Sequence, residues 1–300
     1  MLYDVAIIGG GPSGLSAALA LGRARKRVLV LDSGPRRNAA AVHMHNFVTR
    51  DGTPPDEFRQ IARSQLAHYP NVETRALSVE SVAGSRGAFH LQLGDGSNIK
   101  TRRILLATGV IDEMLPIEGF RELWGSAVVQ CPYCHGWEVQ DRRWAYLARS
   151  EDWAHILMFT MQLRGWTDSV TLFMAEQFDL PAESQQQLLA AGVQVQLSPI
   201  RRLIAQGPEL AAIELTNGER VACDMLFAHP PQQQVALVRQ LGVALDNDGF
   251  VQIDPMRRET SIPGIYAGGD LTTRMQSAIF AAAAGTHAAA MLNFDLTLER

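Results

Sequence analysis
Short apolar runs that end in glycine set the pattern of this chain. The first, Tyr3 to Ile8, is interrupted only by Asp4; Gly9-Gly10-Gly11-Pro12-Ser13-Gly14 follows, then an apolar stretch, Leu15 to Leu21, with helical character. A continuous apolar run of this length reads as a buried strand of a parallel sheet. A second strand, Val28 to Leu31, ends in Asp32, and a polar loop, Ser33 to Pro55, carries His43, His45 and Asn46. The spacing then predicts a helix from Asp56 to Tyr69 with Phe58, Ile61, Leu66 and Tyr69 toward the core. Residues 72 to 106 alternate in short segments around glycine turns, which predicts an antiparallel excursion with strands at Ala88–Leu93 and Ile99–Ala107, closing in Ala107-Thr108-Gly109.

Pro116 and Gly119 mark a linker, and a second round of alternation follows. Strands are expected at 144–147, 169–173, 193–197, 210–215 and 225–228, with helices at 152–163 and 182–191. The chain returns through Asp246–Ile253 to Ile262-Pro263-Gly264-Ile265-Tyr266-Ala267-Gly268-Gly269-Asp270, then an alanine-rich helix from Met275 to Leu292, in which the small residues Ala281 to Gly285 allow close packing, although for the alanines among them simple helix propensity is the preferred reading.

Two motifs carry chemistry. Gly9-x-Gly11-x-x-Gly14 stands between a strand and a helix, and Asp32 closes the next strand at about the 20-residue distance of a dinucleotide fingerprint. Gly9 permits the tight turn, Gly11 lets backbone approach a pyrophosphate, Gly14 allows close packing, and Asp32 can accept from a ribose hydroxyl. The second motif is Cys131-Pro132-Tyr133-Cys134-His135-Gly136. Two cysteines at this spacing can occupy the first turn of a helix, where the positive end of the backbone dipole favours thiolate, and can cycle between dithiol and disulfide. Half a zinc site is the competing reading, but Cys223 is the only other cysteine, and no metal ligand set is expected. His135 is either a proton carrier for the sulfurs or a helix-start histidine bonded to a backbone carbonyl.

The 300 residues are 47% apolar, enough for two domains, and the net charge of −4 gives no electrostatic case for nucleic acid or an anionic membrane. Arginines at 23–27 and Arg36-Arg37 read as a solvated helix end and loop. The opening apolar run is too short for a membrane span or secretion signal, so a cytoplasmic protein without a membrane partner is expected. Three cysteines in such a chain point to catalysis rather than a disulfide framework.

Where a second fingerprint would fall, the sequence reads Ala148-Arg149-Ser150-Glu151-Asp152-Trp153, with all three glycine positions filled and an indole at the last. Met174-Ala175-Glu176 offers no arginine pair for a 2'-phosphate. Both features argue against NADPH binding.

Together, Gly9-x-Gly11-x-x-Gly14 with Asp32, Ala107-Thr108-Gly109, Cys131-x-x-Cys134 and Gly268-Gly269-Asp270 resemble the low-molecular-weight thioredoxin reductase family over essentially the whole chain. Pro35-Arg36-Arg37-Asn38, Arg50-Asp51-Gly52 and the run Cys131 to Glu138 are more similar to its branch of dithiol oxidases, which close disulfides in epidithio natural products such as gliotoxin and holomycin. The resemblance implies an α/β fold of two Rossmann-like, three-layer ββα dinucleotide-binding domains, the second inserted in the first. Residues 1–115 and 245–300 would bind FAD, and residues 116–244 would form the inserted NAD(P)-binding-like domain. It further implies a homodimer. The cofactor site would comprise Gly9, Gly11, Pro12, Ser13, Gly14, Asp32, Asn38, Thr108, Gly109, Gly269 and Asp270, with backbone at Gln276 and Ser277 at the flavin ring. Cys134 would lie next to the flavin, Cys131 would meet substrate, and His135 would carry protons. The expected activity is FAD-dependent oxidation of a dithiol, with oxygen as acceptor. The alternatives are a thioredoxin reductase-like disulfide reductase, fed by NADPH or a donor such as ferredoxin, and a non-catalytic redox-sensing flavoprotein. The substrate would be a small-molecule dithiol or a thioredoxin-like protein.

Overall fold
Strand β1 (Leu2–Ile8) sends Val5 and Ile7 to one face and Ala6 and Ile8 to the other, and all four are buried. A strand wetted on neither face belongs at the centre of a layered sheet. The computed structural model describes residues 1–34, 36–149, 153–175 and 180–299. They form two compact units: Met1–Ala39, Phe47–Asp112 and Gln232–Arg300 in the first, Ala40–Asn46 and Glu113–Pro231 in the second. The second crossing thus falls at Gln232 rather than 245, because the segment after it buries Leu237, Val238 and Val243 in the first unit's core.

In the first unit β1 is followed by α1 (Pro12–Arg23), β2 (Val28–Leu31), α2 (Pro55–Leu66), β3 (Val72–Arg75), the antiparallel β4 (Val79–Ser85) and β5 (Ala88–Leu93), β6 (Asn98–Leu106) and the two-residue β7 (Ile111–Asp112). The sheet order is β3-β2-β1-β6-β5-β4. Helix α2 stops at Leu66, short of the expected Tyr69, and its buried positions include Arg59, whereas Phe58, Ile61 and Tyr69 are only half-buried. Arg59 goes inward because it pairs with Asp32, an attraction that no hydrophobic pattern encodes.

The second unit contains α3 (Phe120–Leu123), β8 (Val128–Val129), α4 (Pro132–His135), β9 (Trp144–Ala148), α5 (Trp153–Leu163), β10 (Val170–Met174), α6 (Ala182–Ala190), β11 (Gln194–Gln196), the antiparallel β12 (Ile200–Gln206), β13 (Glu209–Leu215) and β14 (Arg220–Ala222), and β15 (Met225–Ala228). Its parallel sheet runs β11-β10-β9-β15-β8. Ala145 and Leu147 of β9 face the antiparallel layer, while Trp144, Tyr146 and Ala148 face Ile156, Phe159, Leu163 and Leu188 of the helices. Strands β12 and β14 were not expected: their arginines hide the pattern, and they gain order from pairing with β13.

The chain re-enters the first unit as β16 (Gln232–Gln233), antiparallel to β7, and continues through α7 (Ala236–Leu241) and β17 (Ile265–Ala267), parallel to β6, to α8 (Ala278–Leu298). Helices α1 and α8 cover one face of the sheet, and the antiparallel excursion with α7 covers the other. Within Ala281 to Ala284, Ala283 is exposed and fits simple helix propensity, whereas Ala281 and Ala282 are buried packing contacts, as are Ala288 and Ala289 further along the helix. Among the described residues, no helix is long and apolar enough to cross a membrane.

Candidate active site
Three strand ends meet in the first unit. The Gly9 amide donates to Leu31, that of Ala107 to Ile8, and that of Gly268 to Leu106, so the turns after β1, β6 and β17 lie side by side. Gly9 has φ +117°, and a side chain there would stand 2.6 Å from the Ala107 carbonyl carbon. Gly11 is different: a Cβ would meet nothing within 4 Å. Open space beside the first turn of α1, whose leading amides lack helical acceptors, fits the pyrophosphate of FAD. Pro12 opens the helix. The Ser13 hydroxyl donates to the Gly268 carbonyl at 2.8 Å and ties this turn to Gly269 and Asp270, which leaves only its backbone for a ligand. Thr108 and Gly109 complete the turn after β6, Gly109 with φ +66°.

At the end of β2, Asp32 is buried and faces a cleft of about 500 Å³ that Gly34, Arg36, Arg63 and Ala76 also line. Its Oδ2 takes the buried Arg59 guanidinium and, at 2.9 Å, Arg63, while Oδ1 accepts from the Gly34 amide at 3.2 Å. A cleft of this size with a held carboxylate fits an adenosine.

A closed polar network surrounds Asp270. The Arg37 guanidinium donates to both Asp112 oxygens at 2.6 and 2.7 Å, to Asp270 Oδ2 at 3.0 Å and to Gln276 Oε1 at 2.5 Å. The Gln276 amide donates to Gln232 Oε1 at 2.8 Å, and that of Gln232 to Asp112 Oδ1 at 3.0 Å. Burial pushes the Asp270 carboxyl up, Asp112 adds to this, and Arg37 opposes it. Burial works against the Arg37 charge, but its bonds to Asp112 and Asp270 outweigh it and hold the cation. Arg37 is therefore not the solvated loop arginine expected of it. Asn38 lies in the same 3-10 turn, Arg37–Ala40, and Ser277 caps α8 by accepting from the Phe280 amide.

In the second unit Cys131 and Cys134 are joined in a disulfide with Cα atoms 5.3 Å apart. The sulfurs are bonded to each other, which is not the arrangement of zinc thiolates. Pro132 is buried, Cys131 precedes the first helical residue, and both cysteines are half-exposed. The helix is a single turn, so few peptide dipoles align on the sulfurs, and the local field is weaker than a full helix would give. Tyr133 and Trp137 are 60% and 72% exposed, so aromatic surface flanks the pair. The remaining thiol, Cys223, is buried, and burial pushes its pKa up to about 12.

Burial lowers the pKa of His135 from its ordinary 6.5, against backbone contact with Cys131 and the charge of Glu138, which raise it; His45 lowers it further. Its Nδ1 is buried without a hydrogen-bond partner among the described residues. The loop histidines, which had no assigned role, fall here: Ala40–Asn46 packs with this unit, His45 Nε2 lies 3.5 Å from Glu138 Oε1, and the His43 and His45 rings are 6.2 Å apart. Ser150, Glu151, Asp152 and Glu176, on which the reading against NADPH partly rests, lie outside the described residues. Trp153 is described and packs against the helix-side core.

Residues 3–156 and 160–285 match the model of the pyridine nucleotide-disulphide oxidoreductases. Thioredoxin reductase sirT of Leptosphaeria maculans is 30% identical over 98% of this chain and 94% of its own length. Thioredoxin reductase tcpT of Claviceps purpurea is 32% identical over 100% and 97%. Among solved structures, an oxidoreductase from Agrobacterium tumefaciens superposes with a TM-score of 0.92 at 34% identity over 100% of both chains. HlmI does so with a TM-score of 0.90 at 35% identity, over 99% of this chain and 93% of that one.

Proposed function
Because this chain belongs to the pyridine nucleotide-disulphide oxidoreductase family and is an FAD-dependent enzyme, we infer that it oxidises a small dithiol to a disulfide through Cys131 and Cys134, with oxygen as final acceptor. The observation that carries this is the half-exposed Cys131–Cys134 disulfide next to His135, whose pKa burial lowers. A neutral imidazole can take the proton of an incoming thiol. The substrate thiolate attacks Cys131 Sγ, the Cys131–Cys134 bond breaks, and Cys134 leaves as thiolate. The second substrate thiol then attacks its own mixed disulfide, closing the product ring and releasing Cys131. His135 is assigned the protons of both exchanges. Gly11 and its neighbours would hold the FAD pyrophosphate, Asp32 the adenosine, and Asp270 with backbone at Gln276 and Ser277 the ribityl and ring. When bound, FAD supplies a two-electron acceptor that oxygen regenerates.

Trp153 at the last glycine position, half-buried against the helix-side core, supports the oxidising direction over one fed by NADPH. Exposed Tyr133 and Trp137 suit an apolar small molecule. In this reading the enzyme is a cytoplasmic homodimer. The test is oxygen uptake and peroxide release with dithiothreitol; absence of turnover in air refutes the proposal. A second reading, disulfide reduction, follows from the name thioredoxin reductase carried by the two fungal relatives. Anaerobic NADPH decides between them, since rapid bleaching of the flavin absorbance selects the reductase.

A further inference from the structure
The network around Arg37 does more than fix one loop. Asp112 is the last residue before the chain leaves the first unit, and Gln232 is the first on its return. The two are register partners in the β7–β16 ladder. One guanidinium, from the turn after β2, grips Asp112 with two parallel bonds and with its third nitrogen reaches Asp270 and Gln276. Gln276 in turn bonds Gln232, so the network closes on itself. The Gln276 side chain is consumed there, which leaves its backbone as the part that can face a ligand. Only a planar fork can make all these bonds at once; an ammonium on a flexible stem cannot.

We propose that Arg37 is a positioning residue that holds Asp270 and Gln276 in their FAD-binding geometry and links FAD occupancy to the order of the two crossover strands, β7 and β16. The proposal rests on the reading that Asp270 and Gln276 face FAD. It implies that filling the site stiffens residues 111–113 and 231–234, and that this coupling needs the guanidinium. The experiment compares the wild type, Arg37→Lys and Asp270→Asn, each deflavinated and reloaded. Flavin fluorescence reports FAD affinity, and hydrogen exchange is followed with and without saturating FAD. Arg37→Lys keeps the charge between two carboxylates, so it folds where Arg37→Met fails to; circular dichroism verifies this. The expected results are FAD affinity lower by about tenfold or more in Arg37→Lys, the scale of one lost charged hydrogen bond, and slowing of crossover exchange by FAD in the wild type but not in Arg37→Lys. Wild-type affinity in Arg37→Lys, or full FAD-dependent slowing in it, overturns the proposal. Wild-type affinity in Asp270→Asn instead refutes the underlying placement of FAD at Asp270, a separate result.

Discussion
Gly285 sets helix propensity against packing, and the structure decides the sign. It lies in the interior of α8, where alanine is intrinsically better by about 1 kcal/mol. A Cβ there, however, would stand 2.7 Å from the Ser13 carbonyl carbon and 2.8 Å from its Cα, and closer still to its oxygen. These are backbone atoms at the start of α1, so helix α8 must move. Overpacking of this kind costs about 1–3 kcal/mol. The displacement also strains the buried Ser13–Gly268 hydrogen bond, and leaving it unmade costs a further 1–3 kcal/mol or about that. Gly285→Ala is therefore expected to destabilise the protein by about 3 kcal/mol net, a fall in Tm of about 5 °C for a chain of 300 residues. FAD content should fall with it, because Ser13 anchors the turn read as the pyrophosphate site. Ala283→Gly, at an exposed position of the same helix, isolates propensity and should cost about 1 kcal/mol. Thermal and urea melts followed by circular dichroism measure both. A Gly285→Ala protein as stable as the wild type, or more so, refutes the packing argument.

His135 has a folded-state pKa below its ordinary 6.5, so its stability contribution is complete above that value and is lost as pH falls below it. The acid limb of the reaction with dithiothreitol should lie below 6.5 accordingly, move further down in Glu138→Gln and up in His45→Gln, and vanish in His135→Asn; stopped-flow pH profiles of the reductive half-reaction check all four. Arg59→Met leaves Asp32 buried with only the half-exposed Arg63 for charge balance, which should cost about 3–5 kcal/mol in urea unfolding and weaken FAD binding, and a change under about 1 kcal/mol would contradict the pairing. Cys223 should be inert in the native oxidised protein and react as a single thiol with an aromatic disulfide reagent after unfolding, because the other two cysteines are bonded to each other and burial pushes its pKa up to about 12.

The strand ends of the first unit were legible because glycine writes local constraint into sequence: the turn at Gly9 and the Gly268-Gly269-Asp270 loop could be placed from pattern alone. The Cys131–Cys134 segment was legible for the same reason, its spacing being short. What pattern could not reveal is long-range pairing. Arg37 reaches Asp112 75 residues away, and Arg59 reaches Asp32 across 27, so both read as ordinary polar positions. An arginine beside a short turn that closes a cofactor loop is the signal that could have drawn attention to Arg37. The thiols feel a weaker dipole than a helix start at Pro132 suggests, because the helix ends at His135 after a single turn. His45 could be placed only when its segment was seen packed with the second unit rather than with the chain on either side of it.

The ladder between β7 and β16 brings the exit and entry of an entire inserted segment to hydrogen-bonded neighbours, Gln232 opposite Asp112 and Gln233 opposite Ile111. Ends so placed need only a two-residue hairpin turn to be joined. The architecture is thus modular in a practical sense: an Asn-Gly splice across this seam would excise residues 113–231 and leave the host sheet with all of its strands, and other guests could be grafted through the same doorway.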